Sequence, residues 1–194
     1  MNVAVTTAAE GFPRRAFTVE DIGRMIDAGV IHQDERFELV EGEIVVMAAE
    51  GAARERIKSA LTVAISRALP GHLTIAVEAT LRLSDTIMLE PDIAVFSKDL
   101  FNKSTSFVHL DQGDGLLIIE VAASSLAYDK DLKARLYARH GVGEFWVIDA
   151  NNRTTWVHAG PSGDEWSSIT LRGPHEALTT SALPGFSLRL GGID

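Results

Sequence analysis

The chain of 194 residues carries 18 Lys and Arg residues against 27 Asp and Glu residues, a net charge of −9, and it contains no cysteine. The absence of cysteine excludes a disulfide framework, a thiolate zinc site and a cysteine nucleophile. The negative charge argues against a protein that coats nucleic acid non-specifically, because that affinity comes from many Lys and Arg residues bound to phosphates.

The length and the apolar content of 46% fit one globular domain. Residues 1–16 lack periodicity, so we predict a flexible N-terminal arm there and a single domain over 17–194. No stretch approaches the roughly 20 apolar residues that a membrane span needs, and no signal peptide is visible. We therefore expect a cytoplasmic protein with no membrane partner.

Two segments carry apolar residues at helical spacing. The first follows Thr18 and Asp21, which resemble an N-terminal capping pair, and it ends at Gly29. The second covers residues 52–69 and has one apolar face. Between them, residues 37–47 read FELVEGEIVVM, two alternating runs that predict a β-hairpin with an acidic outward face.

Extended segments follow the second helix. Runs rich in β-branched residues cover 73–83, 86–96 and 116–122, and a long polar loop over 97–115 separates the last two. The remaining predicted elements are an amphipathic helix over 125–139, a strand over 144–149 and two antiparallel strands over 153–158 and 167–171. This order predicts an α/β (α+β) fold in which helices flank a mixed β-sheet.

Two acids stand beside or inside apolar runs of these predicted strands. Asp92 precedes the run 93–96, and Glu120 ends the run 116–119. An acid in such a place is costly unless it has a partner. If the two strands are neighbours, the carboxylates converge and offer the oxygen ligands that Mg²⁺ prefers. An equally weighted alternative is that each acid only caps a strand end or pairs with an arginine.

A lysine on the following helix is a candidate partner for these acids. Lys133 lies 13 residues beyond Glu120, where its side chain could lean back over the strand end. The simpler alternative is an exposed i,i+4 pair of Asp129 with Lys133, worth about 0.3–0.5 kcal/mol.

Other kinds of site receive little support. The six histidines never approach a metal-binding spacing, and no glycine-rich phosphate loop occurs, so we expect no nucleotide cofactor. Ser124 and Ser125 are typical of a helix N-cap. Basic residues that could line a groove for nucleic acid are Arg54, Arg56, Lys58, Lys98, Lys103, Lys130, Arg135 and Arg139. The alternative for these is a set of solvated helix faces.

Several stretches together resemble the Uma2 family (DUF820), restriction-endonuclease-like proteins of the PD-(D/E)xK nuclease superfamily. The matching stretches are FELVEGE at 37–43, EPDIAV at 90–95, LIIEV at 117–121, Asp129 with Lys133 and Tyr137, and GVGEFWVID at 141–149. The last stretch is the most specific for the family. The resemblance implies a restriction-endonuclease-like mixed sheet flanked by helices, here with an extra N-terminal hairpin and C-terminal antiparallel strands.

By this resemblance, the chain is a metal-dependent endonuclease that hydrolyses DNA phosphodiester bonds. Asp92 and Glu120 would bind Mg²⁺, with Mn²⁺ as an alternative ion. The superfamily places its lysine two residues beyond the second acid, where this chain has Ala122, so the resemblance assigns that role to Lys133. Glu38 is expected as a further catalytic acid.

Two departures from the family pattern accompany these assignments. Residues 123–125 read ASS where the family often has Ser-Pro-Ser, and Arg54 stands where a histidine often opens the long helix. The alternative function is therefore a catalytically silent member that binds nucleic acid or serves as an assembly module. A homodimer is expected from the frequency of such assemblies, and it would suit cutting of two strands.

Overall fold

The computed structural model describes residues 5–7, 11–32, 34–47, 51–103 and 107–193. The helices are α1 (Val19–Asp27), α2 (Ala52–Ala68), α3 (Lys98–Lys103), α4 (Leu126–Tyr128) and α5 (Ala134–Arg139), with a π-helical segment Asp129–Lys133 between the last two and a 3₁₀ turn at Leu190–Gly192. The strands are β1 (Val5–Thr7), β2 (Pro13–Arg15), β3 (Phe37–Val40), β4 (Glu43–Val46), β5 (Leu73–Val77), β6 (Leu81–Ser84), β7 (Ile87–Leu89), β8 (Ile93–Ser97), β9 (Val108–His109), β10 (Leu117–Ala122), β11 (Glu144–Asp149), β12 (Thr155–Ser162) and β13 (Glu165–Arg172).

Two mixed sheets dominate the fold. The larger has the strand order β13-β12-β11-β10-β8-β5, in which β10 and β11 are parallel and the other neighbours antiparallel. The smaller has the order β4-β3-β7-β6-β9, with β6 and β9 parallel. The predicted α+β class, the hairpin β3–β4 and the C-terminal antiparallel strands β12 and β13 are thus confirmed.

The extended runs predicted over 73–83 and 86–96 each divide between the two sheets. In the first run the chain turns between β5 and β6, where Glu78 adopts a positive φ of 51°. In the second run Pro91, which has no N–H for a strand ladder, stands between β7 and β8. Alternating apolar residues continue across both breaks, so the pattern alone does not reveal where a strand changes sheet.

Two further segments contain secondary structure that the sequence analysis did not predict. The polar segment predicted as a loop over 97–115 contains α3 and β9, and its residues 104–106 lie outside the described residues. Within the segment predicted as a flexible arm, β1 pairs antiparallel with β2. Residues 1–4 and 8–10 of that arm lie outside the described residues, and the division at residue 17 stays a prediction.

The six-stranded sheet has a hydrophobic layer on each face. Ile57, Leu61 and Ile65 of α2 pack against one face, while Leu136 and Tyr137 of α5 pack against the other. Alternation along β10 sends its odd-numbered residues toward α2 and its even-numbered residues toward α5. Glu120 therefore belongs to the face that the α4–α5 helix covers.

The predicted capping pair at the start of α1 is present. Asp21 N–H donates to Thr18 Oγ1 at 3.0 Å, and Thr18 N–H donates to Asp21 Oδ2 at 3.0 Å. Hydrogen bonds from the backbone and side chain of Thr18 lower the pKa of Asp21 to about 2. Across the described part of the chain, no helix combines the length and apolar character that crossing a bilayer requires.

Candidate active site

Antiparallel pairing of β8 with β10 brings Asp92 next to Glu120. Ile93 pairs with Ile119, and continuing this register by one residue places the two acids side by side. The backbone N–H of Val121 donates to Asp92 Oδ2 at 2.6 Å, which fixes the Asp92 carboxylate against β10. The two strands are therefore neighbours, which was the condition for the carboxylates to converge.

Lys133 reaches the same point from the helix. Its Nζ lies 2.8 Å from Glu120 Oε1 and 2.9 Å from Glu38 Oε1. Asp129 Oδ1 is 3.6 Å away, so the i,i+4 pair exists. However, Lys133 is only 2% exposed. The simple exposed pair that the spacing suggested is therefore wrong, and Lys133 is the centre of a buried cluster.

The helix that carries Lys133 is interrupted by a π-helical segment. The N–H of Ala134 donates to the carbonyl of Asp129, five residues earlier, where an α-helix would use the residue four earlier. Asp129 and Lys133, the first and last residues of the segment, are both buried. π turns of this kind occur often at functional sites.

Glu38 enters the cluster from the hairpin. It accepts a hydrogen bond from the backbone N–H of Glu90 at 3.0 Å through Oε1, and one from the hydroxyl of Tyr128 at 3.1 Å through Oε2. The alternation of the hairpin predicted an acidic outward face, which is wrong for Glu38, since it is 1% exposed. The reason is that both faces of β3 are covered, since Leu39 packs in one hydrophobic cluster and Val40, on the same face as Glu38, packs in another.

The first turn of α2 supplies a guanidinium to Asp92. Arg54 Nε donates to Asp92 Oδ1 at 3.1 Å and to Oδ2 at 3.3 Å, and a terminal nitrogen of Arg54 lies 3.0 Å from Oδ1. One turn later, Lys58 Nζ lies 3.9 Å from Asp92 Oδ1 and is also paired with Glu55 and Glu78. Both basic residues are thus bound into the site.

Several of the basic residues predicted to line a groove also make contacts within the chain. Arg139 is engaged by Asp164 and Glu41, with nitrogen–oxygen distances of 2.6 Å to each. Lys130 lies over the ring of Trp156, 3.9 Å from its centroid. A groove for nucleic acid lined by the eight residues therefore stays a prediction.

Burial and crowding set the protonation of the cluster. Desolvation raises the pKa of Glu120, and the nearby carboxylates of Asp129, Asp92 and Glu38 raise it further, while Lys133 opposes the shift. Burial acts to lower the pKa of Lys133, but the acids around it outweigh this and raise that pKa above its usual value. The raised pKa keeps Lys133 an ammonium at neutral pH.

A cavity of about 290 Å³ opens onto this cluster. Its polar lining consists of Glu38, Arg54, Glu120, Ser124, Ser125, Tyr128, Asp129 and Lys133. A cavity of this size is at the small end of the range for ligand sites, which suits a few atoms of a larger substrate.

The donor chemistry fits a hard divalent cation. Asp92 and Glu120 supply adjacent carboxylate oxygens, and three acids face the single ammonium of Lys133, an excess of negative charge that a metal ion would relieve. In the ranges that the structure describes, no group of three or more His, Asp or Glu side chains is arranged to hold a metal. Because Arg54 binds both oxygens of Asp92, a cation there competes with the guanidinium.

Sequence reasoning gave no place in this site to the hydroxyl groups of three residues. The hydroxyl of Tyr137 donates to Glu120 Oε1 at 3.4 Å, and Tyr128 contacts Glu38. Ser125 occupies the N-cap position as predicted, but its hydroxyl donates to Asp129 Oδ2 at 2.7 Å and makes no capping bond. The i,i+4 spacings of Ser125 with Asp129 and of Lys133 with Tyr137 were the available signals.

Asp92, Glu120, Lys133 and Glu38, the four predicted site residues, are brought to one place. Their roles stay predictions, because geometry alone does not establish catalysis.

Comparison with known proteins extends these observations. The chain is similar to a solved structure described as "a putative nuclease belonging to DUF820" from Anabaena variabilis, with a TM-score of 0.72 and 17% identity over 91% of this chain and 97% of that one. At this identity the similarity shows the fold alone. Among curated proteins, none matches this chain. A family model described as "Putative restriction endonuclease" matches residues 19–191, nearly the whole chain, and the chain therefore belongs to the Uma2 family.

Proposed function

We propose that this protein is a divalent-metal-dependent endonuclease that hydrolyses DNA phosphodiester bonds. The observation that carries the proposal is the buried pair of Asp92, directly before β8, and Glu120, on the neighbouring strand β10, with Lys133 Nζ 2.8 Å from Glu120. Membership of a family of restriction-endonuclease-like proteins supports the class of reaction.

In this proposal Asp92 and Glu120 hold the metal ion. A bound Mg²⁺ or Mn²⁺ would polarise a phosphodiester oxygen and lower the pKa of a bound water. The chain's own part is to supply carboxylate oxygens on a rigid support, since Glu120 lies within β10 and Asp92 directly precedes β8, two buried strands inside the sheet.

Lys133 acts as a fixed positive charge. Because the surrounding acids raise its pKa, it donates hydrogen bonds and stabilises the negative charge that grows on the phosphate in the transition state. Glu38 is a positioning residue in this mechanism, because it holds Lys133 Nζ at 2.9 Å and is itself held by Tyr128 and the Glu90 backbone.

The test combines metal binding with cleavage. Mn²⁺ and Mg²⁺ are titrated calorimetrically into the wild type, Asp92→Asn and Glu120→Gln, and each protein is incubated with mixed DNA substrates at low salt. We expect both variants to lose metal binding and cleavage together. Lys133→Met should keep metal binding but lower the cleavage rate by about 10²–10³, the cost of losing one charge-stabilising donor.

Glu144→Gln is the matched control, because Glu144 is a buried acid of the same sheet outside the cavity. It should bind metal and cleave DNA as the wild type does. Wild-type protein that binds neither ion would contradict the proposal. Metal binding without cleavage of DNA would contradict the substrate assignment.

One observation favours the second candidate, a catalytically silent protein that binds nucleic acid or serves in an assembly. Arg54 bridges both oxygens of Asp92, as a cation in a metal site would. The variant Arg54→Ala separates the two functions. Under the nuclease proposal, removing this competitor tightens Mn²⁺ binding by about tenfold, the equivalent of one charged hydrogen bond. If neither the wild type nor Arg54→Ala binds metal, the silent alternative is favoured.

A further inference from the structure

A second pocket lies beside the cavity of the candidate active site. It has a volume of about 270 Å³, and it lies between the first turns of α2 and the turn that joins β11 to β12. Arg56 and Arg153 both line it, together with Asn151 and apolar residues. Among the residues that the structure describes, no acid belongs to this lining. The pocket is therefore a concave, positively charged site in a chain whose net charge is −9.

The two arginines of this pocket form no ion pair within the described ranges. The acids nearest to them in sequence are engaged elsewhere. Glu55 lies 2.6 Å from Lys58 Nζ, and the buried Asp149 accepts a backbone N–H of its own turn at 2.8 Å. Many other arginines do have an acidic partner within 4 Å, namely Arg15, Arg24, Arg36, Arg54, Arg82, Arg139 and Arg172. Arg56 and Arg153 thus keep their positive charge for a ligand.

Arg153 is held in an unusual backbone conformation. Its φ is 62°, in the left-handed region that few residues other than glycine adopt. Its backbone N–H donates to the carbonyl of Asp149 at 2.7 Å, and its Nη1 donates to the carbonyl of Leu190 at 3.3 Å. A guanidinium has five N–H donors, so this contact orients the group and leaves further donors for the pocket. Backbone strain of this kind costs stability and is found most often at functional sites.

The pocket and the active-site cavity are neighbours. Arg54 lines the cavity and Arg56 lines the pocket, because side chains two residues apart in a helix project about 200° apart. On the other side, Asn151 Nδ2 donates to the carbonyl of Ala123 at 3.3 Å, and Ala123 lines the cavity. A strand with one phosphate at Glu120 and its neighbouring acids would therefore continue past the start of α2 into the pocket.

We propose that the pocket of Arg56 and Arg153 binds a backbone phosphate of the nucleic-acid substrate, close to the phosphate at the candidate metal site. Guanidinium groups bind phosphate oxygens through paired, charge-assisted hydrogen bonds, and the amide of Asn151 adds a neutral donor. Such a contact supplies affinity and positions the strand, and it does not read the bases. The inference rests on the proposed function, because it places one strand in both the cavity and the pocket.

Binding of a fluorescein-labelled DNA duplex and of its single strand, measured by fluorescence anisotropy over a series of KCl concentrations, tests the proposal. Measurements in EDTA exclude metal-dependent cleavage, and measurements in Ca²⁺ supply a cation for the acids. Arg56→Gln and Arg153→Gln should each weaken binding by about tenfold at low salt, the loss of one charged contact. Each should also reduce the slope of log affinity against log salt by about 0.9 on the duplex and about 0.7 on the single strand, because one phosphate contact is lost.

Arg67→Gln is the matched control, because it removes the same charge from an exposed position at the far end of α2. It should leave both the affinity and the salt slope as in the wild type. Arg56→Lys and Arg153→Lys keep the charge, so they should keep the salt slope while losing the paired hydrogen bonds. Circular dichroism and thermal unfolding of each variant verify the fold.

The outcomes separate this inference from the nuclease proposal. Variants Arg56→Gln and Arg153→Gln that bind DNA as Arg67→Gln does would overturn it, even if the wild type cleaves DNA. A wild type that binds neither DNA in either condition would overturn it as well. If Arg56→Gln abolished calorimetric binding of inorganic phosphate but left DNA binding unchanged, the pocket would serve a free anion and the inference would be wrong. Loss of DNA binding in both variants of a protein that never cleaves DNA would support the pocket and contradict only the nuclease proposal.

Discussion

Glu120 and Glu144 are buried acids on the adjacent parallel strands β10 and β11, yet their surroundings differ. Glu144 accepts hydrogen bonds from neutral donors, the indole of Trp146 at 2.6 Å and the hydroxyl of Thr180 at 2.9 Å. Glu120 instead shares the ammonium of Lys133 with two further acids beside a cavity. Glu144 fastens the C-terminal segment to the sheet, whereas Glu120 belongs to a group with an excess of negative charge.

The contrast shows how a structural acid differs from a functional candidate. Both acids stand in apolar strands, and Glu144 even lies in the stretch most specific for the family. What separates them is the charge and accessibility of their neighbours. An acid whose oxygens are satisfied by neutral donors needs nothing further, while crowded acids around one cation leave a site that a metal can complete.

The largest loss of stability is expected when the cation beside Glu120 is removed by Lys133→Met. The variant leaves Glu38 and Glu120 buried without their cation, so the free energy of unfolding should fall by about 3–5 kcal/mol. Urea unfolding followed by circular dichroism measures it. Lys130→Met, on the same helix, should lose about 1 kcal/mol with its contact to Trp156. A loss below about 1 kcal/mol for Lys133→Met would mean that the cluster does not depend on its ammonium.

The pH dependence of stability is the next effect. The pKa of Glu120 is raised above its ordinary value of 4.5, so the folded state holds its proton to higher pH than the unfolded state does. The stability of the wild type relative to Glu120→Gln should therefore fall as pH rises above 4.5, with a slope of up to about 1.4 kcal/mol per pH unit until the carboxyl ionises in the folded state. Urea unfolding of both proteins between about pH 5 and about pH 8 measures this. If the difference in unfolding free energy between the two proteins stayed constant across this range, the pKa of Glu120 would not be raised in the folded state.

Glu144→Gln is expected to have a moderate effect of a different kind. Its two hydrogen bonds lose their charge assistance, so the unfolding free energy should fall by about 1 kcal/mol. Thermal unfolding measures the change, and calorimetry with Mn²⁺ should show unchanged metal binding. If Glu144→Gln abolished metal binding as Glu120→Gln should, the distinction between the two acids would fail.

Tyr137→Phe should have the smallest effect. The hydroxyl of Tyr137 lies at the long distance of 3.4 Å from Glu120 Oε1, so its hydrogen bond is weak and its loss should cost about 0.5 kcal/mol. Urea unfolding of the variant and of the wild type under the same conditions measures this difference in free energy. A loss comparable to that of Lys133→Met would show that the ring hydroxyl, rather than the ammonium, organises Glu120.

Much of the fold follows from local pattern, and the site follows only in part. The capping pair at Thr18, the helix α2 and the hairpin are local features and were predicted. The neighbouring positions of Asp92 and Glu120 could be expected only on the condition that their strands pair. Whether Glu38 lies on a buried or an exposed face of the hairpin depends on contacts with the rest of the fold. The alternating pattern of the hairpin sequence does not predict these contacts.

The burial of the two basic residues in the site could not be predicted from the sequence either. Arg54 and Lys133 were visible as basic residues on helices, but their burial depends on contacts across 38 residues to Asp92 and across 95 residues to Glu38. The i,i+4 spacing of Asp129 with Lys133 is equally compatible with an exposed pair on a solvated helix and with a buried cluster. Long-range pairing, rather than local propensity, decides between the two.

The π turn at Asp129–Lys133 makes the site sensitive to chain length in a way that substitutions are not. Deleting one residue within it would let the helix close with ordinary turns. A π turn holds one residue more than an α turn, so the segments on either side of the deletion would keep nearly their present rotation, and α5 would keep its apolar face on the sheet. The positions within the turn would shift, so Lys133 would leave the place from which it reaches Glu120 and Glu38. A single missing residue would thus disconnect the lysine from its acids with the rest of the helix still in place.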